Sequence, residues 1–291
     1  MVGCNLKIAI LPNLSKKDAD IYTAKVISEI LSLNSDALML SKDNNECFKD
    51  YKLNFYTDID SLISNCDVVI TIGGDGTIIH KAKYAAKFSK PILGINLGKI
   101  GFVAGLERTE ISKLKLLIDG KYKIEKRIML SINIIGNDNT KRFYALNDVV
   151  ISKDIYSGLV DLDVTLNDSK ITEYSADGII LSTPTGSTAY SLSAGGPVIE
   201  PSLDCILLTP ICQHSMFSRP IVFNGNAKIK INSKTRWKNK VVLSVDGGKP
   251  IPINDKDLIT IEVADIPVSL IKLKNQNFYE ILNSKLSGRK I

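Results

Sequence analysis

Two rhythms divide the chain. From residue 6 to about residue 123, short apolar runs alternate with stretches whose apolar positions recur at helical spacing. Residues 6–11 form an aliphatic run that reads as a strand. A helix follows to about Leu33, with Ser15 as its expected N-cap and Ala24, Ile27, Ile30 and Leu31 on its inner face. Residues 38–40 read as a short strand, 43–58 as polar and irregular, and 59–65 as a brief helix. A buried strand is expected at 67–73, a helix at 77–88 through Ile78, Ile79, Ala82, Ala85 and Ala86, a strand at 91–95, and a helix at 110–118 ended by Gly120. This alternation predicts an α/β domain with a parallel, doubly wound sheet, whose ligands bind at the carboxyl ends of the strands.

Beyond residue 123 the helical period disappears. Strands are expected at 128–135, 143–151, 160–166, 178–181, 206–208, 227–231, 241–245 and 258–263. Turn pairs separate them at Gly136 and Asn137, Asn167 and Asp168, Asn224 and Gly225, and Asp246 and Gly247. That pattern predicts an antiparallel all-β sandwich. Residues 268–273 and 278–286 then restore the first rhythm as a strand and a helix. The expected domains are therefore 1–123 together with 266–291, and 124–265. No internal repeat is visible.

Composition narrows the function classes. Of 291 residues, 44% are hydrophobic and 23% charged, an ordinary balance for a soluble globular protein. The net charge of +6, from 37 basic and 31 acidic residues, is modest and dispersed, so it suits anionic small molecules at most. The lysine-rich stretch 228–240, which contains Trp237, reads as a solvated hairpin in preference to a nucleic-acid face. Five cysteines (Cys4, Cys47, Cys66, Cys205 and Cys212), odd in number and without Cys-x-x-Cys spacing, argue against a disulfide framework and a zinc site and for a reducing, cytoplasmic setting. No signal peptide is expected before the first strand. Residues 179–199 are uncharged over 21 positions, yet their prolines, glycines and hydroxyls mark a loop-rich site and not a membrane span.

Candidate chemistry starts where the strand at 67–73 meets Gly73, Gly74, Asp75, Gly76 and Thr77. Glycines that let anions approach the backbone, followed by a helix N-terminus, make an anion site. A carboxylate there opposes phosphate binding unless it accepts a proton from an attacking hydroxyl or helps hold a metal ion. The alternative is that Asp75 caps the helix through the Thr77 or Ile78 N–H. The loop is neither the six-residue dinucleotide fingerprint nor a phosphate loop ending in Gly-Lys-Ser/Thr. Asn147 and Asp148 stand inside an apolar strand. They mark either a strand end or bulge, or recognition of a ligand's hydroxyls. Asp177 and Gly178 open a strand that runs into residues 182–197, dense in hydroxyls and small side chains around Tyr190. Such a segment suits a polar ligand with a ring to stack.

These motifs together resemble the NAD kinase family in order and spacing, from about Leu6 to Leu273. They are residues 73–77, the Asn-Leu-Gly-x-x-Gly-Phe run at 96–102, Asn147 with Asp148, Asp177 with Gly178, the Thr-Pro-Thr-Gly-Ser-Thr-Ala-Tyr run at 183–190, and residues 210–220. The glycine loop alone is shared with diacylglycerol and sphingosine kinases; the 185–190 segment together with Asn147 and Asp148 is specific.

The resemblance implies transfer of the terminal phosphate of ATP, or of polyphosphate in some members, to the 2′-hydroxyl of the adenosine ribose of NAD, giving NADP. It implies a divalent metal, usually magnesium, and a homodimer or homotetramer. The partners are the small molecules NAD and ATP, with neither nucleic acid nor membrane. It implies that Asp75 is the general base and that Gly76 and His80 contact nucleotide, although His80 also reads as an exposed helix residue. Asn147 and Asp148 match an Asn-Glu pair, and Asp177 a ligand-contacting acid. Thr188, Ala189, Tyr190, Ser191, Leu192 and Ser193 match the segment that wraps the dinucleotide, and Cys212 a backbone contact. His214 reads as structural or interface-forming. Ser175 departs from a basic residue and Gly248 from an amide common in the family. A lipid kinase would want a greasy acceptor groove, which residues 182–197 do not supply, and a non-catalytic dinucleotide sensor would have little use for Asp75.

Overall fold

The computed structural model describes residues 5–44, 46–98, 101–137, 139–154, 158–214, 219–234, 240–275 and 277–286, with residues 285 and 286 described as backbone only. Cys4, Trp237, residues 99–100 of the Asn-Leu-Gly run and residues 215–218 lie outside them. Contacts group the chain into two compact units, Met1–Lys126 with Val268–Ile291, and Arg127–Pro267.

The first unit begins with β1 (Lys7–Pro12), α1 (Ala19–Ser32), β2 (Asp36–Leu40), β3 (Asn54–Tyr56) and α2 (Ile59–Ser64). It continues through β4 (Val68–Gly73), α3 (Asp75–Lys87), β5 (Ile92–Asn96), β6 (Leu106–Glu107), α4 (Leu114–Ile118) and β7 (Lys123–Arg127). Every position of β4 and β5 is buried, which requires cover on both faces and explains their unbroken apolar runs. On α1, Val26, Ile27 and Ile30 pack in one core with Ile8, Ile10 and Ile70. On α3, Ile78, Ala82, Ala85 and Ala86 are buried, and small side chains let the helix lie close to the sheet.

Helix α1 starts later than expected. Ser15 does not cap it; its N–H and hydroxyl both donate to Asn13 Oδ1, at 3.3 and 2.7 Å. The N-cap is Asp18, in a left-handed conformation at φ 61° and without a side-chain capping bond. Residues 43–58, expected to be irregular, contain β3 and the buried Phe48.

The second unit comprises β8 (Leu130–Ile135), β9 (Thr140–Ala145), β10 (Asp148–Lys153), β11 (Val160–Leu166), β12 (Ser169–Ala176) and β13 (Gly178–Ser182). A four-residue helix, α5 (Tyr190–Ser193), follows. The unit closes with β14 (Cys205–Ile211), β15 (Ile221–Asn224), β16 (Ile229–Lys234), β17 (Val241–Val245), β18 (Ile251–Ile253) and β19 (Leu258–Val263). Its sheets run β15-β14-β13-β10-β17-β18 and β12-β11-β16-β19-β8-β9. Inward residues of both, among them Ile151, Leu162, Ile179, Leu208, Ile231 and Ile261, share one core. The single strand expected at 143–151 is two strands broken at Leu146 and Asn147, and β12, β15 and β18 were not expected.

The chain then returns to the first unit. Here β20 (Val268–Lys272) pairs parallel with β5, giving the order β3-β2-β1-β4-β5-β20-β7 with β6 on β5, and α6 (Phe278–Leu286) follows. No helix among the described residues is long and apolar enough to cross a membrane.

Gly178 sets a limit on how closely β10 and β13 pack. A Cβ there would lie 2.5 Å from Ile151 O and 2.8 Å from Ser152 Cα, both backbone atoms that cannot swing aside. Gly178→Ala is therefore expected to destabilise the protein by about 1–3 kcal/mol, the usual range for overpacking. A lowered urea midpoint at unchanged m-value is the readout; an unchanged midpoint would show that the strands can separate without cost.

Candidate active site

In the first unit, the strand order puts a change of winding direction between β1 and β4, because β2 and β3 lie on one side of β1 and β4 and β5 on the other. Crevices form at the carboxyl ends of the strands at such a point. Asn13 and Lys16 follow β1, Lys42 and Asp43 follow β2, and Gly74 and Asp75 follow β4. With His80 and Lys81 they help line a cleft of about 720 Å³.

The glycine loop is built for close approach. A Cβ on Gly73 would stand 2.2 Å from Thr77 Oγ1, so the turn into α3 has no room for a side chain. A Cβ on Gly74 or Gly76 would meet nothing within 4 Å. Protein packing therefore gives no reason for glycine at either position, whereas a ligand coming against the backbone would. Gly74 is the N-cap of α3, and Thr77 Oγ1 accepts from its N–H at 3.4 Å.

Asp75 is the first residue of α3 and does not cap it. The N–H groups of Thr77 and Ile78 both donate to Gly74 O, at 2.9 and 3.4 Å. The Asp75 carboxylate instead accepts from the N–H groups of Phe102, at 2.7 Å, and Val103, at 3.3 Å, in the loop after β5. Gly101 makes this possible, since a Cβ there would come within 2.1 Å of Asp75 Oδ1. Nearby, Asn96 Nδ2 donates to both carboxylate oxygens of Glu107, at 3.3 and 3.0 Å. Burial raises the Glu107 pKa; the Asn96 bond and Lys274 work against that shift, while Glu110 and Asp75 add to it. His80 is exposed on the cleft wall. Lys81 is half-buried, and its pKa is lowered by burial first and then by the charge of Lys42, with Asp43 acting against both.

In the second unit the site residues fall into two groups along β13. At its carboxyl end, Asp148 is in register with Ser182. Thr183 N donates to Asn147 O at 2.8 Å, and Thr183 Oγ1 donates to Leu146 O at 2.6 Å. Gly186 packs so closely that a Cβ would lie 2.1 Å from Asn147 O. The segment from Thr183 to Ser193 is thereby bound to the 146–148 break. Thr188 and Ala189 are half-buried, Tyr190 is 46% exposed, and Ser191 is buried with its hydroxyl 2.8 Å from Thr209 Oγ1. Leu192 is half-buried and Ser193 exposed. Asp177 and Cys212 stand just beyond the other end of β13, about 16 Å from Ser182 at 3.3 Å per strand residue. Asp177 N donates to Ile211 O at 3.1 Å, and its carboxylate pairs with Lys153 at 2.7 Å. Cys212 is exposed in a left-handed conformation at φ 46°, so its backbone and not its thiol sets the turn.

Asp246, read from the sequence only as part of a turn pair, organises the first group. It sits at φ 50° between β17 and β18. Its carboxylate accepts from the N–H groups of Leu146, Asn147 and Asp148, at 2.9, 2.8 and 3.1 Å. Those bonds replace ladder pairing and end β9. Two polar groups beside it lack partners among the described residues. Asn147 Oδ1 is buried and unbonded, and the Asp148 carboxylate, on a residue only 5% exposed, receives no hydrogen bond. Burial, and then the negative charge of Asp246, push the Asp148 pKa up to about 7. A buried acceptor left without a partner, as Asn147 Oδ1 is, calls for a donor from outside the described residues. The lysines after β1, β2 and in α3 were likewise not singled out from the sequence, because only the fold collects them.

The family model described as the ATP-NAD kinase N-terminal domain matches residues 8–122, and that described as the ATP-NAD kinase C-terminal domain matches residues 146–273. An NAD kinase of Caldanaerobacter subterraneus subsp. tengcongensis is 36% identical over 289 residues, covering 97% of this chain and 99% of its own. One from Clostridium botulinum is 44% identical over 226 residues, covering 77% and 79%. Among solved structures, yeast NADH kinase complexed with NADH has a TM-score of 0.86 at 26% identity, over 98% of this chain and 88% of that one. An NAD kinase from Archaeoglobus fulgidus in complex with ATP has a TM-score of 0.75 at 23% identity, over 98% and 100%, a likeness of fold.

The raised Asp148 pKa carries a pH signature. In the unfolded chain this carboxyl titrates at the ordinary 3.8, and in the folded chain at about 7. Between those values the folded state holds a proton that the unfolded state has lost, so this group's contribution to stability falls as pH rises from about 4 to 7 and is constant above. Asp148→Asn should remove that slope. The stability of the variant minus that of the parent is expected to grow over the same window, by on the order of a few kcal/mol, and then to level off. Denaturant midpoints at a series of pH values test it, and a difference independent of pH would mean that Asp148 is ionised throughout.

Proposed function

The chain belongs to the NAD kinase family of enzymes, and from that premise we propose that it moves the terminal phosphate of ATP to the 2′-hydroxyl of the adenosine ribose of NAD. In this reading the first unit's cleft takes the donor phosphates, against the backbone of Gly74 and Gly76. In the second unit, Asn147 Oδ1 and the Asp148 carboxylate receive donors from the dinucleotide, and the exposed ring of Tyr190 stacks on a base. Thr188, Ala189, Ser191, Leu192 and Ser193 shape that surface, with Asp177 and Cys212 as further contacts. His80 bonds a phosphate.

In the chemical step the ribose 2′-oxygen forms a bond to the γ-phosphorus while the bond to the β–γ bridging oxygen breaks, and ADP leaves. Asp75 accepts the 2′-hydroxyl proton. General-base help of this kind usually supplies about 10²–10⁴-fold, so positioning and electrostatics do most of the work. A divalent cation fits a cleft of this composition, because magnesium is typically held by one or two carboxylates together with substrate phosphates. Asp75 and Asp43 are the carboxylates available to it, and it would offset the charge of the phosphates.

The observation that carries this reading is the use made of Asp75. It lies in a cleft with three lysines, where a carboxylate works against phosphate binding, and helix capping does not account for it. Its two bonds to backbone N–H groups give the carboxylate a fixed direction.

Asp75→Asn keeps the shape and removes the proton acceptor. It is expected to lower kcat by about 10² or more while the KM for NAD changes little, measured as NADP formed from ATP, magnesium and NAD. A kcat within about tenfold of the parent would rule Asp75 out as the base. Gly101→Ala is a second, independent probe. Its methyl group must displace either the carboxylate or the loop, so kcat should fall about tenfold or more with the Asp75 side chain intact. Full activity would show that the direction of the carboxylate is immaterial.

A further inference from the structure

The loop that holds the Asp75 carboxylate is itself held by the segment that returns from the far end of the sequence. Its amides at Phe102 and Val103 make the two bonds to Asp75, at 2.7 and 3.3 Å. Three contacts meet the same loop from β20 and α6. Lys272 Nζ donates to Val103 O at 3.4 Å. The Phe102 ring lies against that of Phe278, with centroids 6.1 Å apart and planes at 40°. Gly105 runs so close to β20 that a Cβ would stand 2.6 Å from Ile271 O. The ammonium of Lys272 is anchored in turn, 3.7 Å from Glu125 on β7, the neighbour of β20, and its side chain is only 18% exposed. A charge on a carbonyl directs one peptide group, an aromatic pair locks one side chain, and a backbone laid on a strand fixes the height of the loop above the sheet. Neither Lys272 nor Phe278 is among the described residues that line the cleft containing Asp75.

We propose that Lys272 and Phe278 are positioning residues for the reaction: they aim the Asp75 carboxylate by fixing the loop whose amides hold it. The inference rests on the reading of Asp75 as the proton acceptor and deepens it by naming what gives that acceptor its direction. A carboxylate bonded to a loop is directed only as well as the loop is, and a displacement of about 1 Å at a reacting group can cost on the order of 10²-fold in rate. Loops left without such contacts open locally with little free energy. Lys272 and Phe278 take no part in proton transfer and touch neither substrate, so their loss acts on the chemical step and not on binding.

The test is a double-mutant cycle through Asp75, read in full-length protein as NADP formed from ATP, magnesium and NAD. Lys272→Met and Phe278→Ala are made singly and in the Asp75→Asn background. Lys272→Arg and Phe278→Tyr serve as conservative replacements, and Ile27→Val, on the buried face of α1, controls for lost stability. Lys272→Met and Phe278→Ala are each expected to lower kcat by about three- to tenfold, with the KM for ATP and for NAD within about twofold of the parent. The conservative replacements should restore most of kcat, and the control should stay within about twofold. In the Asp75→Asn background neither change should lower kcat further by more than about twofold, because the group they aim is already gone. Amide hydrogen exchange reads the loop without turnover: Phe102 and Val103 should exchange faster by about threefold or more in Lys272→Met and Phe278→Ala, and at the parental rate in the control. Parental kcat in both variants would overturn the proposal. So would an undiminished loss in the Asp75→Asn background, a loss carried wholly by KM, an equal loss in the Ile27 control, or unchanged exchange at Phe102 and Val103. The reading of Asp75 as the base fails separately, on the Asp75→Asn single variant alone, and the exchange rates then still decide whether β20 and α6 hold the loop.

Discussion

In the first unit a single carboxylate joins two loops that the sheet brings to the same edge. Parallel neighbours β4 and β5 end side by side, and the chain that leaves each must turn away over the top of the sheet. Asp75 begins the helix after β4, and the amides of Phe102 and Val103 belong to the loop after β5. Hydrogen bonds to a charged acceptor are worth about 1.5–3 kcal/mol each, and here they also give the side chain one direction. Gly101 is the condition for the contact, because a methyl group would occupy the place of the carboxylate oxygen. Leu97 N, bonded to Gly73 O at 2.6 Å, ties the two loops again from the backbone side. The oxygens proposed to take a proton are thus the same ones that hold the loop, so a change in either function is felt in the other.

The second unit uses a carboxylate in the same way for a different purpose. Asp246 receives three successive amides that a continuous strand would have sent to a neighbour, and the strand ends there. The break takes Asn147 out of the ladder and starts β10 at Asp148, leaving Asn147 Oδ1 buried without a partner among the described residues and Asp148 buried beside Asp246. Burial first, and then the charge of that second carboxylate, push the Asp148 pKa up to about 7. Both effects come from one left-handed residue in a hairpin turn, where Asp is among the few side chains tolerated.

The alternation of strands and helices was legible because buried parallel strands are largely apolar runs, as β1 after Lys7, β4 and β5 are. The glycine loop and the hydroxyl-rich segment were legible as chemistry for a related reason: each is contiguous. What escaped depends on residues distant in sequence. The break at Leu146 is made by Asp246, a hundred positions away, so residues 143–151 read as one strand. Ser15 has the right chemistry for an N-cap, but Asn13 captures its hydroxyl and the left-handed Asp18 delays the helix. Strand β12 carries Lys170 and Glu173 exposed and so lacked an apolar signature. The three cleft lysines come from the ends of two strands and the first turns of a helix, and nothing short of the strand order makes them neighbours.

That strand order also sorts charge. Along the carboxyl edge of the first sheet, β2 and β1 contribute Lys42 and Lys16, and α3 turns Lys81 and His80 toward them. On the opposite flank, β5 and β6 contribute Asn96 and Glu107, and Glu110 follows, held well below the ordinary carboxylate range, at about 2, by Lys113 and Lys274 despite partial burial. Asp75 stands between the two flanks and is anchored to the acidic one. Under the proposed reading, phosphates drawn to the cationic flank would meet the carboxylate from one side only, and their repulsion would fall on a side chain that backbone amides already hold in place. Separation of the two charges along one edge is what would allow the proposed proton acceptor and phosphate site to share a cleft, and it follows from the winding of the sheet before any ligand is considered.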